Sequence, residues 1–388
     1  MKVICDRSAL LDAVKLVSRV VAVRTPKPQL TCVKLTAEPD GSAAGAGTLT
    51  LAATDAEVSL RLATDRVEVT TPGEALIPAD KLEQIVVAQE NEPTLTLEAD
   101  GEACHIRGGD AKFKVFGYPP ADFPPLPEFP EEGAGTSFGV DAGVLGEAID
   151  RTVFSTARET SRYAINGVLL VRTGKKIEMV ATDGRRLALA RLGSDGEASS
   201  DRLACIIPTK ALNVLGRLIS SAGTEAAVRV AVTDNRAMFH IDDGNGAPTV
   251  LGSNLVEGTF PPYEDVIPKD QDKKATFDVE TLRSAVRRAA LLTNEESRGV
   301  RLAFTTNGGQ HLTLSSRAPE MGEAEVKVEM NAYEGEDIEI GFNPAFITDA
   351  LKVVEGHEVV LEMKAPNKPG LMKSGSDFLY VVMPVNLQ

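Results

Sequence analysis

The amino-acid sequence predicts an α+β fold in which one domain, with two helices packed on antiparallel sheet, occurs three times in tandem. A first helix signal recurs at nearly constant spacing, a second recurs in register with it, and strand signals lie between and after them. Two signals that repeat in register indicate an internal repeat rather than one large domain.

The first helix of each copy begins at an aspartate. Apolar residues follow Asp6, Asp141 and Asp278 at the fourth and eighth positions, and the offsets between these aspartates are 135 and 137 residues. Aspartate caps a helix by accepting from a free N–H of the first turn, and this apolar spacing lies on one helical face. We therefore expect a helix after each aspartate.

The second helix of each copy begins near a proline. Ile77-Pro78, Ile207-Pro208 and Phe342-Asn343-Pro344 all precede apolar residues in helical spacing, and the offsets between the first residues of these motifs are 130 and 135. Proline suits the first helical turn because its missing N–H costs nothing there.

Strands are predicted between and after these helices. Apolar and polar residues alternate from Val58 to Leu62, from Val228 to Val232 and from Val326 to Met330. Alternation with a period of two is typical of a half-buried strand, so each copy is expected to contain antiparallel sheet.

Two proline-rich stretches separate the copies. Residues 118–135 contain six prolines, and residues 260–274 contain Phe260-Pro261-Pro262 and a second proline motif. Proline removes sheet hydrogen-bond donors and favours extended chain, which is typical of connectors. The predicted domains are 1–130, 136–263 and 274–388.

The net charge is distributed unevenly. The chain has 41 Lys and Arg against 56 Asp and Glu, a formal charge of −15, which by itself argues against nucleic-acid binding. The predicted helices nevertheless carry eleven basic and seven acidic residues. They span 7–19, 79–88, 142–151, 209–219, 280–291 and 344–354. The sequence therefore predicts net basic helices on an otherwise acidic protein.

No catalytic or metal-binding pattern is present in the sequence. The four histidines are isolated, the four cysteines have no zinc-site spacing, and Gly174-Lys175 lacks the rest of a phosphate loop. No Gly-x-Ser-x-Gly motif occurs. We expect a protein that is not an enzyme and holds no cofactor. Without a long apolar run or secretory signal, a cytoplasmic location with no membrane partner is also expected.

Five motifs in order carry a resemblance to a known family. They are Met179-Val-Ala-Thr-Asp-Gly-Arg-Arg-Leu-Ala188, Arg162-Tyr-Ala-Ile-Asn-Gly167, Val256-Glu-Gly-Thr-Phe-Pro261, Asn294-Glu-Glu-Ser-Arg-Gly-Val-Arg-Leu302 and Tyr380-Val-Val-Met-Pro384. The chain resembles bacterial DNA polymerase III beta subunits, the sliding clamps, from Met1 to Gln388. The resemblance implies a head-to-tail homodimer whose six domains close a ring around double-stranded DNA, with the helices lining the hole.

The resemblance also implies a function without catalysis. A sliding clamp tethers DNA polymerase III, and other polymerases and repair proteins, to DNA and so makes replication processive. Arg24 and Lys210 match basic DNA-contact positions of the family, and Arg7, Arg283 and Arg287 belong to the basic residues of the predicted helices. Phosphate contacts by such residues carry no sequence information, which suits sliding.

A peptide-binding pocket is implied as well. It would receive linear motifs from the DNA polymerase III alpha subunit, the clamp-loader delta subunit, translesion polymerases and mismatch repair proteins. Apolar residues suit Leu and Phe side chains of such motifs, and methionine adapts to varied ligands. The residues implied are Arg162, Ile165, Thr182, Gly184, Arg186, Leu187, Pro261, Val266, Pro344, Met383, Pro384 and Val385. Core packing alone remains an alternative for Leu187 and Ile165.

The sequence departs from the family at the implied sites and at its C-terminal end, where Gln388 extends the usual Leu end. Ala164 and Glu159 replace an aromatic residue and an amide at DNA-contact positions, and Asp265 and Asn386 stand where relatives often have arginine. These differences leave the DNA contacts there and the peptide preference open.

A dimer surface is the last implied site. Phe113 and Val115 of one chain would pack on Leu291 and Leu292 of the other while edge strands pair, which removes unpaired sheet edges. The residues alone leave one alternative, a repeat-built protein-interaction scaffold that does not encircle DNA.

Overall fold

The computed structural model describes residues 1–41, 45–130, 136–158, 163–194, 199–242, 244, 248–293, 299–306 and 309–386. It confirms three tandem copies of an α+β domain. Within these residues the helices are α1 (Arg7–Val17), α2 (Ala79–Ala88), α3 (Ala142–Val153), α4 (Thr209–Ala222), α5 (Val279–Ala289) and α6 (Pro344–Lys352).

Each copy has the order strand, helix, several strands, helix, three strands. The strands of the first copy are β1 (Lys2–Asp6), β2 (Cys32–Pro39), β3 (Gly47–Thr54), β4 (Val58–Thr64), β5 (Val67–Thr71), β6 (Gly73–Pro78), β7 (Thr94–Asp100), β8 (Ala103–Arg107) and β9 (Lys112–Phe116). Those of the second are β10 (Thr136–Asp141), β11 (Gly167–Gly174), β12 (Lys176–Thr182), β13 (Arg186–Gly193), β14 (Ser199–Pro208), β15 (Ala227–Val232), β16 (Arg236–Asp242) and β17 (Thr249–Asn254). Those of the third are β18 (Lys273–Asp278), β19 (Val300–Thr305), β20 (His311–Ala318), β21 (Gly322–Glu329), β22 (Ala332–Glu334), β23 (Ile338–Phe342), β24 (Glu358–Met363), β25 (Gly370–Ser374) and β26 (Phe378–Val382).

The predicted helix starts are confirmed. Asp6 Oδ1 accepts from the N–H of Ala9 at 2.8 Å, and Asp141 and Asp278 accept in the same way at 3.0 and 2.8 Å. Pro344 occupies the first turn of α6, where Asn343 caps the helix. The short strand that precedes each capped helix was not predicted.

The chain divides into two compact units. The first consists of Met1–Gly146, Ser194–Gly196 and Lys210–Leu255, and the second of Glu147–Gly193, Glu197–Thr209 and Val256–Gln388. The first unit holds the sheets β5-β1-β7-β8-β9 and β10-β15-β16-β17-β4-β3-β2-β6. The second holds β14-β11-β12-β13-β26-β25-β24-β18-β22 and β21-β20-β19-β23.

Two sheets are continuous across the predicted domain boundaries. In the first unit β17 pairs antiparallel with β4, and in the second β26 pairs antiparallel with β13. One copy therefore pairs its edge strand with an edge strand of the neighbouring copy, which removes two unpaired sheet edges. The sequence pattern did not indicate this pairing. Apolar residues fill the interior of each unit, including Phe277, Phe304 and Phe342 in the second.

Candidate functional site

The centre of the candidate site is the turn between β12 and β13. The Thr182 hydroxyl donates to the Arg186 carbonyl oxygen at 2.7 Å and accepts from the Gly184 N–H at 3.1 Å. Asp183 Oδ1 accepts from the N–H groups of Arg185 and Arg186 at 2.9 and 3.1 Å. Gly184 has a φ of +84°, a left-handed conformation that glycine adopts without strain. These residues fix the turn from which Arg186 projects.

Arg186 connects this turn to α6 and to Phe154, the residue that follows α3. Its Nε donates to Asp183 at 3.0 Å, its Nη1 donates to Asp349 of α6 at 2.9 Å, and its Nη2 donates to the Phe154 carbonyl after α3 at 2.8 Å. The Arg186 side chain is 11% exposed. A guanidinium held by three partners at once is positioned rigidly, because each bond is charge-assisted or made to a fixed carbonyl.

Aromatic side chains enclose the same guanidinium. The Arg186 Cζ atom lies 4.5 Å from the centre of the Phe346 ring and 5.4 Å from that of Phe154. Both distances are within cation–π range. The buried Tyr380 donates its hydroxyl to the Phe346 carbonyl at 3.0 Å, which fixes α6 against β26.

The titration of these groups reflects their mutual attraction. Burial alone would lower the pKa of Arg186, but Tyr380, Asp349 and Asp183 raise it above its usual value. Burial alone would raise the pKa of Asp349, but hydrogen bonds from Arg186 and Lys352 bring it below the usual range. Burial raises the pKa of Tyr380. The carboxylate and guanidinium are therefore both charged near neutral pH.

The C-terminal tail runs from β26 across this site. The Met383 N–H donates to the Arg185 carbonyl at 2.9 Å, and the Val385 N–H donates to the Gly341 carbonyl of β23 at 2.8 Å. Met383 is 39% exposed although it is a large apolar residue. A tail tied down by backbone hydrogen bonds is ordered, so its apolar side chains form a defined surface.

A cavity of about 680 Å³ lies beside the tail. Met383, Pro384, Val385 and Asn386 line it together with residues of β19, β23 and the 366–367 loop. Its volume is within the range of roughly 300–1,000 Å³ that small-ligand sites have. Three of the predicted pocket residues therefore share a cavity.

The remaining predicted pocket residues have different environments. Leu187 is buried with Ala164 in a hydrophobic cluster, against which Phe260, the neighbour of Pro261, packs. Ile165 is also buried, whereas Val266 is 44% exposed. Leu187 and Ile165 thus contribute mainly to the core of this region.

Arg162 and Glu159 lie outside the described residues, as does the 294–298 part of the fourth motif. The neighbouring Tyr163 is 42% exposed. Pro344 starts α6, the helix whose Asp349 binds Arg186.

Sequence reasoning missed the partners of Arg186. Phe154, Phe346 and Asp349 lie far from it along the chain and in none of the five motifs, whereas Tyr380 opens the fifth motif. Asp349 has one other signal, as the single acid of α6. Helical spacing from Pro344 places Phe346 and Asp349 three residues apart, on one face. That spacing alone does not indicate which residue they contact.

The predicted DNA-binding residues of the first unit differ in whether their charged groups already make hydrogen bonds within the chain. Arg24 is exposed in a loop. Lys210 donates to Asp55 at 2.5 Å and to the Val20 carbonyl at 3.0 Å. Arg7 donates to the carbonyls at the end of α2, at 3.0 Å each.

The predicted DNA-binding residues of the second unit lie on α5. Arg283 donates to Glu280 at 2.6 Å, and Arg287 is exposed. Arg24 and Arg287 thus present free guanidinium surface to solvent, whereas Arg7 and Lys210 are engaged within the chain.

The predicted dimer residues lie at an edge strand and after a helix. β9 is an edge of its sheet, where Val115 is buried and Phe116 is 71% exposed. Leu291 is 72% exposed in the turn after α5 and Leu292 is half-buried. Phe116 was not predicted, because in the pattern Lys-Phe-Lys-Val-Phe it breaks the alternation. Phe113 is half-buried.

The described residues contain no group of three or more His, Cys, Asp or Glu arranged to hold a metal ion. No helix in the described part of the chain is long and apolar enough to span a membrane.

Three consecutive stretches match the DNA polymerase III beta subunit family. Residues 1–127 match its N-terminal domain, 139–262 its central domain and 264–386 its C-terminal domain. The beta sliding clamp of Pseudomonas putida is 34% identical over 385 residues, covering 98% of this chain and 99% of that protein. The beta sliding clamp of Escherichia coli K12 is 31% identical over 343 residues, 88% of this chain and 89% of that protein.

Solved structures have the same fold. The Pseudomonas aeruginosa sliding clamp (DNA polymerase III subunit beta) bound to griselimycin is 32% identical, with a TM-score of 0.85 over 100% of both chains. The Bacillus subtilis DNA polymerase sliding clamp, 24% identical, has a TM-score of 0.87 over 100% of both chains. The likeness therefore extends over the whole chain in both sequence and fold.

Proposed function

Because the chain belongs to the DNA polymerase III beta subunit family, the beta sliding clamps, we propose that it encircles double-stranded DNA and tethers DNA polymerase III during chromosome replication. The match of all three domains, in order, carries this proposal. A clamp has no catalysis of its own. It acts by keeping the polymerase at high effective concentration beside its template.

The ring would consist of two chains joined head to tail, with domains 1–130, 136–263 and 274–388 in each. β9 and β21 support this arrangement, because each is an unpaired edge of its sheet. Lys112 and Lys114 are exposed on β9, whereas the exposed charged residues of β21 are Glu323, Glu325, Lys327 and Glu329, which are net negative. Opposite charges on two free edges favour their pairing in a heterologous interface. Phe113, Val115, Leu291 and Leu292 would supply its apolar part.

DNA would be held by contacts to phosphate. Arg24 and Arg287 are exposed and can reach phosphate without rearrangement. Lys210 first has to exchange Asp55 for a phosphate oxygen, whereas Arg283 has to exchange Glu280. Arg7 caps α2 and therefore orients that helix. Such contacts are independent of sequence and weaken with salt, so the ring can slide.

Partner proteins would insert a linear peptide beside the C-terminal tail. The exposed apolar residues Tyr163, Val266 and Met383 support this, because all three lie in predicted pocket segments. The candidates are the polymerase alpha subunit, the clamp-loader delta subunit, translesion polymerases and mismatch repair proteins. These encounters would take place in the cytoplasm.

Topology distinguishes a clamp from a scaffold that does not encircle DNA. The protein, loaded onto nicked circular DNA by a clamp loader with ATP, should stay bound through gel filtration and be lost when the circle is cut. The sample without clamp loader is the control. Retention on linear and circular DNA alike, or on neither, would contradict the ring.

The tail provides a test of the peptide site. Deleting residues 383–388 should abolish binding of a Gln-Leu-x-Leu-Phe peptide in a fluorescence anisotropy titration, since it removes one wall of the cavity. Met383→Ala should weaken binding by about tenfold, as expected for losing one buried apolar side chain. Met321→Ala is the matched control, because Met321 is equally apolar and 59% exposed but lies beside β21. Unchanged affinity after the deletion would place the site elsewhere.

A further inference from the structure

The first unit contains a turn with the same geometry as the one that positions Arg186. Thr54 Oγ1 donates to the Val58 carbonyl at 2.8 Å and accepts from the Ala56 N–H at 3.0 Å. Asp55 Oδ1 accepts from the N–H groups of Glu57 and Val58 at 2.9 and 2.7 Å. Ala56 has a φ of +81°, although it is not glycine. Residues 54–58 thus repeat the backbone of residues 182–186.

The surroundings of this turn repeat as well. The Asn254 N–H donates to the Glu57 carbonyl at 2.8 Å, as the Met383 N–H does to Arg185 at 2.9 Å. β17 lies beside β4 as β26 lies beside β13. The connector sequence Phe123-Pro124-Pro125 recurs as Phe260-Pro261-Pro262. Ser59 and Leu187 correspond because each directly follows its turn. Asn254 and Met383 correspond because the N–H of each donates to the equivalent carbonyl of its turn.

A cleft of about 170 Å³ lies at this place in the first unit. Its lining includes Glu57, Ser59, Pro124, Pro127, Arg236 and Asn254. Arg236 Nε donates to Asn254 Oδ1 at 3.3 Å, and Asn254 Nδ2 donates to Glu57 Oε2 at 3.1 Å. The cleft therefore has a polar wall in place of Leu187 and Met383, facing a wall of prolines.

The size and lining of the cleft define its ligand. It is smaller than the roughly 300–1,000 Å³ of sites for whole small molecules, so it accommodates one side chain. The Arg236 guanidinium and the Ser59 hydroxyl can donate, while Glu57 can accept. A carboxamide is neutral and has an acceptor oxygen and a donor nitrogen at separate atoms, so it can satisfy both kinds of partner at once. The proline wall offers apolar surface to the residues that flank it.

We propose that this cleft, which we name the first-unit cleft, binds an extended peptide segment of a partner protein by taking up one Gln or Asn side chain. The peptide part of this assignment rests on the peptide site proposed beside the C-terminal tail, which we name the tail site. The cleft repeats the backbone of the 182–186 turn at that site.

Methyl NMR of the full-length protein tests the assignment with defined probes. The peptide acetyl-Ala-Gln-Ala-amide should shift the Ala56 and Val58 methyl signals with a Kd on the order of 1 mM, a weak affinity typical of one buried side chain. Acetyl-Ala-Leu-Ala-amide should not shift them at the same concentration, because a leucine side chain has neither a donor nor an acceptor to offer Ser59, Glu57 and Arg236.

Two variants of the first-unit cleft extend the test. Ser59→Leu should raise the Kd of the Gln peptide at least about tenfold, and the pair Ser59→Leu and Asn254→Met should make the Leu peptide the better ligand. Ser59→Ala removes only the hydroxyl, so it controls for folding. It should raise the Kd of the Gln peptide less than Ser59→Leu does. Unmoved Ala56 and Val58 signals with the Gln peptide, or equal shifts with both peptides, would overturn the proposal.

Binding at the tail site is followed separately, through the methyl signal of Met383. If a Gln-Leu-x-Leu-Phe peptide leaves Met383 unmoved while the Gln peptide shifts Ala56, the proposed tail site is wrong and the cleft stands. The reverse result overturns the cleft alone.

Discussion

Replacing Arg186 by methionine removes the guanidinium that joins the 182–186 turn to α6, and α6 should become locally unstable. Three hydrogen bonds of 2.8 to 3.0 Å are lost, two of them to carboxylates. Methionine retains much of the aliphatic stem, so the loss mainly reflects the charge and its bonds.

The expected magnitude follows from how far the partners are buried. Removing one member of a fully buried ion pair costs about 3–5 kcal/mol, whereas an exposed pair is worth about 0–1 kcal/mol. The side chain of Arg186 is 11% exposed, but those of Asp183 and Asp349 are 20% and 31% exposed, so water partly solvates the carboxylates left behind. We expect a loss of about 2–3 kcal/mol, between the exposed range and the buried range and closer to the buried one.

Hydrogen exchange of the α6 amides measures this loss directly. A loss of about 2–3 kcal/mol corresponds to exchange faster by roughly 30- to 150-fold for amides that exchange by local opening. Global unfolding measures this local loss less directly, because α6 can open while the rest of the chain stays folded.

Arg191→Met is the matched control for Arg186→Met. Arg191 lies on the same strand, β13, and also bonds a carboxylate and a carbonyl, Glu178 at 3.0 Å and Ser376 at 3.2 Å, but its side chain is 43% exposed. It should change α6 exchange less than about fivefold. If both variants change α6 exchange equally, Arg186 does not hold the helix. Asp349→Asn should add little to Arg186→Met, because the two share one interaction.

Three further predictions concern other parts of the chain. Gly184→Ala should lower stability by about 1 kcal/mol, whereas Ala56→Gly at the equivalent left-handed position should be neutral or stabilising by less than that, both measured by thermal unfolding; destabilisation by Ala56→Gly would contradict this. Lys112→Glu with Lys114→Glu should weaken the dimer at least about tenfold in sedimentation at low salt, and loss of that effect at high salt would confirm its electrostatic origin. Burial and the charge of Arg229 lower the pKa of His240. The unfolded chain therefore takes up a proton before the folded protein does as the pH falls below about 6.5, and Tm should decrease over that range. The decrease should be smaller in His240→Gln, and parallel pH profiles for the two proteins would refute the coupling.

The sequence predicted the helices well because their starts depend on local chemistry. An aspartate that accepts from the third following N–H, as Asp6 and Asp278 do, acts within one turn, and proline acts within one residue. The strands before α1, α3 and α5 were missed because they are five or six residues long and are stabilised by partners from distant segments. β1, for example, pairs with β5 and β7.

The sequence motif around Arg186 points to candidate site residues but not to their contacts. Thr182, Gly184 and Arg186 were identified from one contiguous motif, whereas the Arg186–Asp349 pair joins residues 163 positions apart. No periodicity or cap signal encodes such a separation. The burial of Leu187 was left open by the sequence for the same reason, since alternation along β13 indicates a buried face without saying what covers it.

The two repeated turns show how one backbone supports different chemistry. In the first unit the turn supplies a carboxylate, Asp55, and the cation comes from Lys210 of α4. In the second the turn supplies Arg186, and Asp349 of α6 is its partner. The Lys210 side chain is 41% exposed, against 11% for Arg186, so water can replace its partner at little cost. The first arrangement therefore suits the exchange of a carboxylate for a phosphate oxygen that we propose for Lys210, and the second suits a cation that holds its turn and α6 in place.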